Sequence, residues 1–188
     1  MCIRDSYTAV DKAEDHQELC AKLNSEAVGY LAKAAEENQA EFIQISTDYV
    51  FDGTNYVPYR ETEPTCPNSV YGVTKLAGEK KALEYCSKAM IIRTAWLYSV
   101  FGNNFVKTMI RLGKERESLG VIFDQIGTPT YARDLASAVF AAIRKGIIPG
   151  IYHFSNEGVC SWYDFTKSIH RIAGIGNCKV SPLHTDEY

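Results

Sequence analysis

The sequence predicts an α/β fold built on a mostly parallel sheet, and three observations carry that expectation. Segments of helical and of strand character alternate along the chain, without the run of hairpin turns that an antiparallel fold needs. The strand candidates are short continuous apolar runs, the pattern of strands covered on both faces. The 188 residues are 46 % hydrophobic, enough for a packed core in a single 7–188 piece.

The elements follow in order. Residues 15–38 read as a long amphipathic helix, because Leu19, Leu23, Ala27, Tyr30, Leu31 and Ala34 recur at helical spacing. Phe42-Ile43-Gln44-Ile45 reads as a buried strand, and a loop rich in Asp, Gly, Pro and Thr fills 47–68. A helix is expected over 70–85, a strand over 90–94, a helix over 104–114 and a strand over 120–123. Helix 132–145, strand 150–154 and helix 162–173 complete the alternation. A doubly wound sheet of this kind opens with a strand and a glycine-rich turn that holds a pyrophosphate. Nothing in the chain matches G-x-G-x-x-G, so the sheet is expected to be incomplete at its start. Residues 1–6 read as foreign to the fold, since Arg4 and Asp5 stand where a strand end should be small and apolar. The far end, at Thr185-Asp186-Glu187-Tyr188, reads as stopping before an element is finished.

Charge and composition exclude several functions. The net charge of -3 offers no basic excess to neutralise phosphates, so nucleic acid and anionic membrane surfaces are poor partners. No run is long and apolar enough to span a bilayer, and the first residues lack the apolar stretch of a secretory signal. The six cysteines form no C-x-x-C pair and have no histidine partners at zinc spacing, so they read as free thiols of a reducing, cytoplasmic compartment.

One constellation carries chemistry. Thr47 closes the strand 42–45 on the side where open α/β sheets bind their ligands. Tyr71 and Lys75 stand four apart near a helix start, hence on one face. A ketone being reduced by hydride gathers negative charge on oxygen and needs a proton. A tyrosine can supply it, a nearby ammonium is expected to lower its pKa, and a threonine hydroxyl can donate a hydrogen bond to the same oxygen. A second Tyr-x-x-x-Lys match, Tyr163 to Lys167, has no strand-end hydroxyl before it and sits among the packing residues Trp162, Phe165 and Ile169. The blander readings are a loop-satisfying Thr47, a turn-forming Asp48 and a Trp96 that merely packs.

The run Ser-Thr-Asp-Tyr-Val-Phe-Asp-Gly at 46–53 resembles the extended short-chain dehydrogenase/reductase superfamily. Within it, the chain resembles the dTDP-4-dehydrorhamnose reductase family. Segments 7–14, 93–98, 102–109, 124–130, 152–156 and 161–165 continue the resemblance in register. It implies a Rossmann-like doubly wound sheet with part of a small C-terminal substrate-binding region. It implies that Tyr71 donates the proton, that Lys75 partners it and holds ribose, and that Thr47 is the third catalytic group. Tyr7 and Thr8, with Tyr71 and Lys75, would contact NADPH or NADH, whereas Thr47, Asp48 and Trp96 would contact the nucleotide sugar. The implied reaction is reduction of the 4-keto group of dTDP-4-dehydro-L-rhamnose to dTDP-L-rhamnose, for cell-surface polysaccharide. Without the glycine-rich turn, the chain alone is expected to bind cofactor weakly or not at all and to be inactive. Some family members place a Glu at a dimer-interface magnesium site where this chain has Arg133, so no metal is expected. A homodimer stays open. Two other readings remain: another extended short-chain epimerase or dehydratase, and a regulatory subunit resembling that of methionine adenosyltransferase.

Overall fold

Apolar runs flanked by helices fold as the alternation requires, in a computed structural model that describes residues 6–188. The expectation that 1–6 is foreign to the fold falls outside the described residues, Ser6 excepted. In chain order the elements are α1 (Gln17–Ala21), a π-helical segment (Lys22–Glu26), α2 (Ala27–Glu37), β1 (Phe42–Thr47), α3 (Val70–Tyr85), β2 (Ala89–Thr94) and β3 (Leu97–Tyr98). They continue with α4 (Phe105–Glu115), β4 (Ser118–Ile122), β5 (Ile126–Gly127), β6 (Thr130–Tyr131), α5 (Ala132–Lys145), β7 (Gly150–His153), β8 (Cys160–Ser161), α6 (Trp162–Ile172) and β9 (Lys179–Leu183). The long helix expected over 15–38 is α1 and α2 joined through the π-helical segment. A 3-10 turn, Thr185–Glu187, occupies the end that the sequence left unassigned.

The chain divides into two compact units: 1–94 with 140–154, and 95–139 with 155–188. In the first, β1, β2 and β7 form a parallel sheet in the order β1-β2-β7. Ile43 pairs with Met90, Ile45 with Ile92, and Ile91 with Ile151 across it. The helix α3 is the crossover from β1 to β2. Its small residue Ala82 meets Val28 and Ala32 of α2, and Ile91 of β2 is fully buried under them. Burying a side chain of that size contributes roughly 1.5–3 kcal/mol.

The second unit pairs β3 with β6 and β4 with β9 in parallel, and β5 with β8 antiparallel. Its core gathers Met109 of α4, Leu119 and Val121 of β4, Ile169 of α6 and Val180 of β9. Trp162, Tyr163 and Phe165 pack against that cluster, which assigns Tyr163 and its turn of α6 to packing, as the sequence expected. The cap of α6 is reciprocal: the Ser161 hydroxyl accepts from the Asp164 amide, and the Asp164 carboxylate accepts from the Ser161 amide. The described cysteines, Cys20, Cys66, Cys86, Cys160 and Cys178, are all free thiols.

Candidate functional site

The first unit brings Thr47, Tyr71 and Lys75 together at the C-terminal end of β1. Thr47 is the last residue of that strand and is 5 % exposed. Its hydroxyl oxygen accepts from the Tyr49 amide at 3.2 Å and so caps the short 3-10 turn Asp48–Val50. The same hydroxyl donates to the Asp48 carboxylate at 3.0 Å. Ser69 caps α3 by accepting from the Gly72 amide at 3.1 Å, which starts the helix with Tyr71 in its first turn. Gly72 permits the close approach. A Cβ there would stand 2.2 Å from the Tyr49 carbonyl oxygen, so only glycine lets α3 begin against the turn that follows Thr47.

Tyr71 is 9 % exposed and packs with Ala13 and Cys20, with Tyr49 edge-on to its ring at 5.6 Å between centroids. Burial pushes its phenol up to about 12, and the nearby Thr47 hydroxyl pulls in the opposite direction. Burial pushes Lys75 down to about 8, while the Glu79 carboxylate opposes that fall. The sequence expected Lys75 to lower the tyrosine pKa. The structure corrects this: Lys75 is not among the groups acting on Tyr71, and its ammonium instead donates to the Ile45 carbonyl at 2.7 Å and to the Ser6 hydroxyl at 3.4 Å. Desolvation therefore governs both groups. It leaves Tyr71 a protonated phenol across the neutral range, the form that can donate a proton.

Asp48 is open to solvent at the rim, which moderates the upward push that the surrounding protein gives its carboxyl. Tyr7 is half-buried and Thr8 exposed. The Tyr7 hydroxyl donates to the Lys12 carbonyl at 3.2 Å and meets His16 Nδ1 at 2.8 Å. Trp96 belongs to the second unit. It stacks on Trp162 at 3.4 Å between centroids, and its φ of 47° is a left-handed backbone that a bulky residue rarely adopts. Gly127 makes room for the indole, since a Cβ there would lie 2.4 Å from it. The structure shows Trp96 packed, as the blander reading expected, in a backbone conformation of a kind that gathers at ligand sites.

Two groups near the site had no reading from sequence. Asn24, 1 % exposed in the π-helical segment, accepts from the Tyr7 amide at 2.8 Å and donates to the Tyr7 carbonyl at 3.1 Å. It thereby fixes the backbone where cofactor contact is expected. π-Helical turns are often found at functional sites, but nothing in the residue pattern of 22–26 announces one. Glu79 and Arg93 form a buried ion pair, Nη2 to Oε2 at 2.7 Å, with both side chains nearly inaccessible. Here a signal existed: Arg93 follows Met90-Ile91-Ile92, and a cation inside a buried strand requires a buried partner. Among the described residues no three His, Cys, Asp or Glu side chains gather as a metal site.

The donor set of Tyr71 and Lys75 fits the sugar and ring end of a nicotinamide cofactor: a neutral phenol, and an ammonium with a free valence beyond Ile45 and Ser6. The chain offers no glycine-rich turn for the pyrophosphate.

Comparison with known proteins agrees with the expected family. The family profile of the RmlD substrate binding domain matches residues 5–188. dTDP-4-dehydrorhamnose reductase of Escherichia coli (strain K12) is 49 % identical over 177 residues, covering 90 % of this chain and 59 % of the relative. The crystal structure of a dTDP-4-dehydrorhamnose reductase from Clostridium acetobutylicum ATCC 824 superposes with a TM-score of 0.94 at 48 % identity, over 97 % of this chain and 64 % of that one. The enzyme of the same name from Bacillus anthracis str. Ames, in complex with NADP, gives a TM-score of 0.93 at 44 % identity, again over 97 % and 64 %. The chain thus spans less than two thirds of the length of these relatives. With 184 of its residues inside the matching profile (5 to 188) and the parallel α/β architecture in place, the chain belongs to the RmlD substrate binding domain family.

Proposed function

We propose that the chain is the catalytic and sugar-binding part of an NAD(P)H-dependent oxidoreductase that reduces the 4-keto group of dTDP-4-dehydro-L-rhamnose, giving dTDP-L-rhamnose for cell-surface polysaccharide. One observation carries the reading: a buried, protonated Tyr71 phenol close to the Thr47 hydroxyl at the mouth of a parallel sheet, with Lys75 one helical turn further on. The names of the similar proteins support it, including the spore coat polysaccharide biosynthesis protein SpsK of Bacillus subtilis, 40 % identical over 183 residues.

Bound NADPH or NADH would supply the hydride. The chain's own residues would handle the oxygen. Thr47 donates a hydrogen bond to the carbonyl oxygen, which strengthens as negative charge develops there. Tyr71 delivers its proton to that oxygen as general acid. Its high pKa keeps the proton in place until an alkoxide, a stronger base than phenolate, appears. Lys75, anchored on the Ile45 carbonyl, holds the ribose. Tyr7 and Thr8 line the cofactor, whereas Asp48 and Trp96 meet the nucleotide sugar. A cytoplasmic location belongs to the same reading, and among the described residues no helix is long and apolar enough to cross a membrane.

The test uses the complete protein with the keto sugar nucleotide and NADPH deuterated at the transferring position. Deuterium at sugar C4 of the product, one per cofactor oxidised, is the expected result. Turnover without net cofactor oxidation would replace the reductase with an epimerase or dehydratase. Absence of turnover, together with tight capture of a partner enzyme, would favour the regulatory reading.

A further inference from the structure

The Glu79–Arg93 pair is a buried, multiply bonded ion pair in the first unit, and the proposed mechanism leaves it unused. Arg93 Nε donates to both carboxylate oxygens of Glu79, at 3.0 and 3.2 Å, and Nη2 donates at 2.7 Å. The Ser46 hydroxyl donates to the same carboxylate. Ser46, Glu79 and Arg93 are 3 %, 1 % and 4 % exposed, so water competes for none of these bonds. Their placement is not random. Ser46 and Arg93 are register partners in β1 and β2, one residue before the Thr47–Thr94 pair. Glu79 lies four residues after Lys75 and eight after Tyr71, on the same face of α3. The helix therefore grips β1 at two successive positions: Lys75 on the Ile45 carbonyl and Glu79 on Ser46. The next residue of the strand is Thr47.

We propose that Glu79 is a positioning residue for the Thr47–Tyr71–Lys75 group, its carboxylate clamped by Arg93 and Ser46 so that α3 docks Lys75 against the end of β1. This rests on the function proposed above.

The charges explain why a neutral replacement would not serve. Arg93 of β2 pairs with Glu79 directly, whereas Lys75, one turn earlier on α3, feels the carboxylate through space and has Cys20 of α1 acting on it in the same direction. Ser46 faces the carboxylate from β1, and His153 of β7, whose amide donates to Glu61 of the loop after β1, feels both Arg93 and Glu79. Burial already pulls Lys75 down to about 8, and Glu79 is the first influence working against it. Without that charge, burial would act on the amine with less opposition, and its hold on the Ile45 carbonyl would be weaker. A purely structural pair has no such requirement, because buried ion pairs are commonly replaceable by packed neutral groups without loss of stability.

The experiment compares Glu79→Gln with Glu79→Asp in the complete protein, reading the NMR titration of the Lys75 ε-amine and the pH profile of kcat. Glu79→Gln should lower the Lys75 midpoint by about one pH unit or more, move the alkaline limb of kcat down by the same amount, and leave KM within about threefold. Glu79→Asp, which keeps the charge, should keep both the midpoint and the limb within about half a unit, however much thermal stability it loses. An unchanged Lys75 midpoint in Glu79→Gln, or equal shifts in the two variants, overturns the proposal. If Glu79→Gln does not fold, Glu79→Asp decides alone: a midpoint held within that half unit supports the proposal, and a larger shift overturns it. The Lys75 titration needs no turnover, so a wild-type protein that fails to reduce the keto sugar would sink the functional reading and leave this one to be judged by its own readout.

Discussion

At the scale of single residues, desolvation dominates the site. It moves Tyr71 and Lys75 in opposite directions, and both shifts are visible as pH-dependent stability. Between pH 8 and 10.5 the unfolded chain keeps a proton on Lys75 that the folded chain has released, so this residue makes stability rise with pH across that window. Between pH 10 and 12 the sign reverses for Tyr71: the folded phenol stays protonated while the unfolded one ionises, and stability falls. Denaturation of wild type and Lys75→Met from pH 7 to 10 should show the wild type gaining about 2–3 kcal/mol relative to the variant. Parallel curves would mean that Lys75 is not desolvated. The placement of these groups was legible in the sequence, since a strand-end threonine and a Tyr-x-x-x-Lys on a following helix declare themselves by type and spacing. Glu79 did not declare itself, because Lys-x-x-x-Glu on a helix reads equally well as a solvated pair. The influence of Lys75 on the phenol was misjudged for a related reason: spacing along a helix fixes the face, and burial fixes which partner the ammonium takes.

At the scale of elements, the site depends on how closely α3 approaches the turn after β1. Gly72→Ala places a methyl carbon against the Tyr49 carbonyl, backbone on both sides, so the helix start must move. A loss of about 1–3 kcal/mol in urea unfolding is expected, with a fall in kcat, because Tyr71 is the residue next to it. A stability change within error would mean that the helix start adapts freely. The longer elements matched the sequence closely: α3 over 70–85 and α5 over 132–145 have the expected ends. The two-residue strands β3, β5, β6 and β8 had no signal, since each exists only through a partner far along the chain. The strand β9 was missed because Pro182 interrupts its apolar pattern. The π-helical segment was hidden inside a good amphipathic helix.

At the scale of the whole molecule, the proposed roles are spread over both units. The first unit carries the proton donor and its supports on a parallel sheet. The second carries Trp96, braced by Trp162 and Gly127. Trp162→Leu removes the brace while leaving the helix cap of Ser161 intact. It should raise the KM for the nucleotide sugar, with kcat less affected, and abolish the coupled far-ultraviolet circular dichroism of two stacked indoles. An unchanged KM would confine Trp96 to packing. The proposed reduction depends on Tyr71 as the proton source, and the most direct test is kcat for Tyr71→Phe in the complete protein. With the fold intact by circular dichroism, the variant should lose about 10²–10⁴-fold in turnover while still binding NADPH and sugar nucleotide. Turnover within a few-fold of wild type would contradict it.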